Sequence, residues 1–372
     1  MSIYWNRRVV ALSPYIPGEQ PLDKTLIKLN TNENPYPPSP RVIEAIHRAA
    51  GDELRRYPDP ACTEVRMAVA ERYGVTPEQV FVGNGSDEVL AFAFAACFES
   101  SCHQARPILF PDITYSFYPV YAQFWDIPFT PVPVVEDFSI TIEDYKQPSG
   151  GVVIPNPNAP TGRALSRTAL ASLVRYYEQT QEGRVVLVDE AYAAFGRDLE
   201  MASLTREHPN LLTVHTLSKA ASLAGLRVGF AIGNPGLIQG LCRVRDSFNS
   251  YPVDRLAQAG AAAALKDAAY YEAVNQKVVA TRSRVAQALQ DRGYEVLPSQ
   301  ANFLMIRSPS QGGLEFFTYL RDRGILVRHF KGPRITDFLR VSIGTDAEMT
   351  RFLTHLPPPT DTCRGGEFPD GP

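Results

Sequence analysis

The chain of 372 residues is 44% hydrophobic and 21% charged, enough to bury a large core and to form two domains. Its net charge of −3 makes no electrostatic case for nucleic acid or an anionic membrane surface. No segment approaches the run of about twenty apolar residues that crosses a bilayer. The opening Met1-Ser2-Ile3-Tyr4-Trp5-Asn6-Arg7-Arg8 has no long apolar stretch of the kind an export signal needs, so a soluble, cytoplasmic chain is expected. Cys62, Cys97, Cys102, Cys242 and Cys363 lack metal-ligand spacing, and their odd number argues against a complete disulfide framework. The scattered histidines form no metal-binding grouping, so no metal is expected.

In chain order, the proline-rich segment 13–40 predicts an extended arm and no long helix. Apolar strand-like runs follow at 80–82, 107–110, 151–154, 184–189, 211–216 and 228–232, alternating with helical patterns that include 61–73, 87–98, 166–181 and 235–245. That alternation predicts an α/β fold with a mostly parallel sheet covered by helices. After about residue 265 a long helical stretch, 267–290, leads into a second, smaller α/β pattern beginning at 294–297 and 301–306. The expected division is an arm at 1–40, a large domain at 41–265, a small domain at 266–356, and a Pro- and Gly-rich tail at 357–372 expected to be disordered.

Functional candidates cluster just after the strands, where open α/β sheets bind ligands. Val185-Val186-Leu187-Val188-Asp189-Glu190-Ala191-Tyr192 reads as a buried parallel strand ending in a carboxylate. Thirty residues on, Thr216-Leu217-Ser218-Lys219-Ala220 and then Leu226-Arg227-Val228-Gly229-Phe230 place one amine among a hydroxyl and a guanidinium. An aldehyde cofactor bearing a phosphate needs that set: an amine to condense with, groups to hold the phosphate, and an acid to keep a ring nitrogen protonated. Gly83-Asn84-Gly85-Ser86-Asp87 ends a strand and opens a helix, so its backbone N–H groups can approach an anion at the positive helix terminus. Singly, each feature reads as a turn or a helix cap. Their occurrence in one order along adjoining α/β segments argues for a site.

With Leu29-Asn30-Thr31-Asn32-Glu33-Asn34-Pro35, Arg56-Tyr57-Pro58-Asp59-Pro60 and Asn156-Pro157-Asn158-Ala159-Pro160-Thr161-Gly162 added, the chain resembles the histidinol-phosphate aminotransferases, within the fold-type I pyridoxal-phosphate aminotransferases. The resemblance runs from Leu12 to Thr345 and leaves out the tail. It implies pyridoxal 5'-phosphate as cofactor, with Lys219 as the Schiff-base lysine and proton carrier. By the same resemblance Gly85, Ser86, Thr216, Ser218 and Arg227 hold the phosphate, joined by Tyr57 from the neighbouring subunit of a homodimer. Tyr115 would stack on the ring, Asp189 would pair with the ring nitrogen, and Tyr192 would meet the ring oxygen.

One departure stands out: the family it resembles usually has Asn before Pro-Thr-Gly as an amide donor to the ring oxygen, and this chain has Ala159. Either Asn158 or Asn156 compensates, with Asn158 preferred, or Tyr192 carries the contact alone. The resemblance also implies that Arg340 binds the substrate carboxylate and Arg328 a substrate phosphate, with Tyr15 and Tyr251 beside them. A planar guanidinium suits both anions. The implied reaction moves an amino group between L-histidinol phosphate and 2-oxoglutarate or glutamate. Alternatives are an aromatic or broad-specificity aminotransferase, a threonine-phosphate decarboxylase, and a non-catalytic binding protein on the same fold.

Overall fold

A computed structural model describes residues 3–23, 25–103 and 105–357. The strands, in chain order, begin with β1 (Ile27–Lys28), β2 (Val80–Asn84), β3 (Ile108–Pro111), β4 (Phe129–Val132) and β5 (Val152–Pro155). There follow β6 (Val186–Asp189), β7 (Leu211–Thr216), β8 (Val228–Gly233) and β9 (Glu295–Val296). The last four are β10 (Phe303–Arg307), β11 (Ile325–Leu326), β12 (Arg328–His329) and β13 (Phe338–Ser342).

Seven strands form one sheet in the order β2-β8-β7-β6-β5-β3-β4. Strand β8 runs antiparallel to both neighbours and the other described pairings are parallel, as the mostly parallel expectation requires. Alternate side chains explain why both faces are covered. Leu187, Val153 and Val214 pack with the helices Gly85–Cys97 and Pro235–Phe248. Val186, Val188 and Ile154 pack with the helix Arg167–Thr180. A strand buried on both faces must be apolar throughout, hence the unbroken Val-Leu-Val before Asp189.

The edge strand β4 is missing from the sequence expectation because Pro131 interrupts its run. An edge position tolerates that proline, since the sheet asks nothing of one of its flanks. Helix Pro40–Ala49 starts at the residue where the arm was expected to end, capped by Ser39 with proline at its first turn. Helices Phe117–Phe124 and Arg255–Leu265 were also unforeseen, the second being an alanine-rich run capped by Asp254.

The 23-residue helix Ala268–Gln290 leads to a four-stranded antiparallel sheet, β12-β13-β10-β9. Val278, Val285, Leu304, Ile306, Val341 and Phe352 give this part its own core. Among the described residues the arm has no helix between Leu12 and Ser39, and its strand β1 pairs in parallel with β11. The arm is thereby joined to the C-terminal part of the chain. Of the expected tail, residues 358–372 lie outside the described residues.

Candidate active site

Strand direction assembles the site. The parallel strands β5, β6 and β7 end at Pro155, Asp189 and Thr216, so the loops that follow them open on one edge of the sheet. Strand β8 starts at that edge because it is reversed: Val228 pairs with Asn84, and Gly229 with both Gly83 and Thr216. Arg227, just before β8, therefore meets both the turn after β2 and the turn after β7. Its Nη1 donates to Ser218 Oγ at 3.2 Å and its Nη2 lies 3.1 Å from Asp87 Oδ2.

A cleft of about 240 Å³ opens here. Ser86, Tyr115, Asp189, Tyr192, Thr216, Ser218, Lys219 and Arg227 line it together with Tyr15, Arg328 and Arg340. Gly85 lies directly behind Arg227 with φ +81°, and a Cβ there would fall 2.6 Å from Nη2. At Gly229 a Cβ would fall 2.4 Å from the Ser86 backbone nitrogen. Both glycines keep space for backbone amides and a guanidinium to converge at the start of helix Gly85–Cys97, the arrangement an anion requires.

Asp189 is almost fully buried at 6% exposure. Its Oδ2 accepts from the Tyr118 hydroxyl at 2.7 Å and its Oδ1 from the Ala191 backbone N–H at 3.1 Å. Burial raises its carboxyl to a pKa of about 6, against the pull of those two donors. Among the described residues no basic side chain forms an ion pair with Asp189, so the carboxylate suits a protonated ring nitrogen as partner. Tyr118 escaped the sequence reading because Tyr115, Phe117 and Tyr121 stand beside it and offer the same aromatic signal.

Burial, followed by the nearby positive charge of Arg340, lowers Lys219 to a pKa of about 8. Its amine donates to the Thr31 carbonyl at 3.0 Å. Arg340 is held by the Asn30 carbonyl at 3.1 Å and lies between the rings of Phe303 and Phe330, yet its buried Nε has no hydrogen-bond partner. An incompletely satisfied guanidinium facing a cleft suits a carboxylate. Arg328 donates to the Ile16 carbonyl at 3.1 Å, and Tyr15 stacks on Phe117 with ring centroids 4.4 Å apart. Tyr115 donates to Asp87 Oδ1 at 2.7 Å, which ties the expected stacking ring to the anion cradle.

Gly85, Asn158, Tyr57 and Tyr251 stand apart from the cleft lining, as does the alternative Asn156. Asn158 is fully buried, and its amide nitrogen donates to the Ile113 carbonyl at 2.9 Å and to Thr161 Oγ1 at 3.2 Å. Asn156 is likewise engaged with the Leu165 backbone through both ends of its amide. Of this turn, Ala159 lines the cleft beside Pro157 and Pro160. The geometry thus departs from the expectation that Asn158 serves the ring oxygen: its amide is spent on the Ile113 carbonyl and the Thr161 hydroxyl. Tyr251, expected beside Arg328, instead stacks on Tyr57 with ring centroids 4.5 Å apart, and both rings face outward.

The arm contributes a side chain that sequence reasoning missed. Asn32 lines the cleft, and its Nδ2 donates to the Tyr192 hydroxyl at 3.0 Å. The two residues are 160 positions apart in sequence, so no local pattern could join them.

This cleft combines a lysine of depressed basicity, an isolated buried carboxylate, an anion cradle at a helix start with Arg227, and a pair of further arginines, Arg328 and Arg340. Those features define the class as an enzyme working on anionic amines through a phosphate-bearing aldehyde cofactor. Residues 24–356 match the family described as aminotransferase class I and II, and the chain belongs to that family. It is 54% identical over 359 residues to histidinol-phosphate aminotransferase 1 of Bordetella parapertussis, covering 96% of this chain and 98% of the relative. Against the histidinol-phosphate aminotransferase of Clostridium acetobutylicum the identity is 50% over 356 residues, covering 96% and 99%. The crystal structure of histidinol-phosphate aminotransferase from Sinorhizobium meliloti in complex with pyridoxal-5'-phosphate is similar at a TM-score of 0.83 and 25% identity, covering 96% of this chain and 97% of that one. The architecture is that of the fold-type I aminotransferases.

Proposed function

We propose that this chain is a pyridoxal-phosphate-dependent aminotransferase exchanging an amino group between L-histidinol phosphate and 2-oxoglutarate or glutamate. The observation that carries the reading is the cleft itself, which Lys219, Asp189 and Arg227 line together with two further arginines, Arg328 and Arg340. Relatives named for the same activity at 50% and 54% identity over nearly their whole length support it.

When bound, pyridoxal phosphate supplies an aldehyde and an electron-withdrawing ring that accepts the charge left at a substrate carbon. Gly85, Ser86, Thr216, Ser218 and Arg227 would hold its phosphate, with Tyr115 against its ring and Tyr192 at its ring oxygen. Asp189 would hold a proton on the ring nitrogen, where its isolation and burial make the ion pair strong. Lys219, its pKa lowered to about 8 by burial and by Arg340, would serve as the base that takes the proton from the substrate α-carbon and as the acid that gives it back. Arg340 would orient the carboxylate of the acidic partner, and Arg328, with Tyr15, the phosphate of histidinol phosphate.

A homodimer completes this reading. Tyr57 is 77% exposed and Tyr251 42%, and the stacked pair lies off the cleft lining of its own chain. Tyr57 would reach the cofactor phosphate of the neighbouring subunit, with Tyr251 carried beside it. Residues 41–265 would form the cofactor domain and 266–356 the domain bearing both substrate arginines, with the arm 1–40 joining them. Among the described residues no helix is long and apolar enough to cross a membrane, and Cys62, Cys97, Cys102 and Cys242 are free. Both observations suit a reducing cytoplasm.

The substrate assignment is tested at Arg328. Arg328→Ala is expected to lower kcat/KM for histidinol phosphate roughly 10²-fold or more, the loss of a charge-assisted phosphate contact, and to change that for phenylalanine severalfold at most. Equal losses for both substrates would make Arg328 a structural residue and remove the basis for a phosphate site there.

A further inference from the structure

Ala159 leaves the ring-oxygen side of the cleft without an amide from its own turn, because Asn156 and Asn158 are committed to Leu165, Ile113 and Thr161. An amide reaches this side from the opposite direction. Asn32 is 1% exposed and is held at every polar group it has. Its backbone N–H donates to Ser342 Oγ at 2.8 Å, and its carbonyl accepts from Asn302 Nδ2 at 2.9 Å. Ser342 donates in turn to Asn32 Oδ1 at 2.9 Å. That last bond fixes the sense of the amide: Oδ1 faces the serine, so Nδ2 faces Tyr192.

The consequence falls on the tyrosine proton. A phenol oxygen that accepts from Asn32 Nδ2 has its own O–H free for an acceptor in the cleft. We infer that Asn32 is the positioning residue for Tyr192, orienting its hydroxyl as donor to the ring oxygen of the bound cofactor and so serving in place of the amide that Ala159 lacks. This inference rests on the pyridoxal-phosphate reading above. The charged and titratable groups facing Tyr192 include Arg340, Asp189, Tyr15 and Tyr118, and Phe303 packs edge-on against its ring.

The arrangement also links the three anchoring points of the reaction. Consecutive arm residues touch one site residue each: Asn30 through its carbonyl to Arg340, Thr31 through its carbonyl to Lys219, and Asn32 through its amide to Tyr192. Asn32 is clamped by Ser342, on the same strand as Arg340 and two residues beyond it.

The test exploits the backbone. Asn32 has φ +55°, a conformation that Asp and Gly also accept, so Asn32→Asp and Asn32→Gly change the side chain without imposing strain. Each variant is loaded with pyridoxal phosphate, and the pH midpoint of its visible absorption band is measured beside that of the wild type. Donation to the ring oxygen stabilises its anion and lowers that midpoint. Asn32→Gly is expected to raise it by a few tenths of a unit through lost orientation. Asn32→Asp should raise it by roughly one unit, because a carboxylate draws the tyrosine proton to itself. Ser342→Ala, which frees the amide to rotate, is expected to shift the midpoint in the same direction and serves if either Asn32 variant fails to fold. Unchanged midpoints in variants that load normally would overturn the inference and leave the cofactor assignment standing. A wild-type protein that develops no visible band with pyridoxal phosphate would overturn both.

Discussion

Lys219→Ala is expected to lose at least about 10⁴-fold in turnover, because the proposed function gives one amine both the attachment of the cofactor and the carriage of the proton. The fold should survive. The only hydrogen bond the Lys219 ammonium makes among the described residues is to the Thr31 carbonyl, and burial already disfavours its charge. Removing it deletes a partly desolvated cation and breaks no ion pair. Thermal unfolding within a few degrees of the wild type, with the visible band of the loaded protein abolished, is the expected pair of results. Turnover within tenfold of the wild type would refute the assignment.

Asp189→Asn is the second large effect, and it runs in opposite directions for stability and activity. The folded carboxyl titrates near pH 6 against an ordinary 3.8, so the folded state resists its ionisation. The sign follows: below about pH 4 the carboxyl is protonated in both states and burial costs nothing, while above about pH 6 folding must bury the charge and stability is lost. In the cofactor-free protein an asparagine should therefore stabilise by up to about 3 kcal/mol at pH 7 to 8, partly offset because its one oxygen cannot serve both Tyr118 and Ala191. Little difference from wild type is expected at pH 4. Turnover should fall on the order of 10³-fold, since a neutral amide no longer holds the ring nitrogen protonated. Denaturant unfolding of the cofactor-free proteins at the two pH values checks the first half, and steady-state rates check the second.

The features legible in sequence are those whose chemistry and strand position coincide. Asp189 ends β6, Arg227 immediately precedes β8 and Lys219 follows β7 by three residues, and the periodicity that reveals these strands also places those residues on one edge. Gly85 was legible because a strand-to-helix turn leaves few other choices there. The features that escaped depend on contacts between distant segments. Tyr118 became a carboxylate donor only because β3 and its following helix lie against β6 across β5. Asn158 looked available because its identity is right, but the fold commits its amide to Ile113, 45 residues away. Asn32 sits in an arm without periodicity, and its partners Tyr192, Asn302 and Ser342 are gathered only when the two sheets and the arm come together. Strand β4 was hidden by a proline that an edge position tolerates.

The measurement that bears most directly on the account is the half-reaction of the pyridoxal-phosphate-loaded protein, followed by its absorption as single substrates are added without a 2-oxo acid. Rapid loss of the visible band with histidinol phosphate, and a response to phenylalanine at least about 10²-fold weaker in second-order rate, is the predicted result. A faster response to phenylalanine, carbon dioxide release from threonine phosphate, or no response to histidinol phosphate would contradict it.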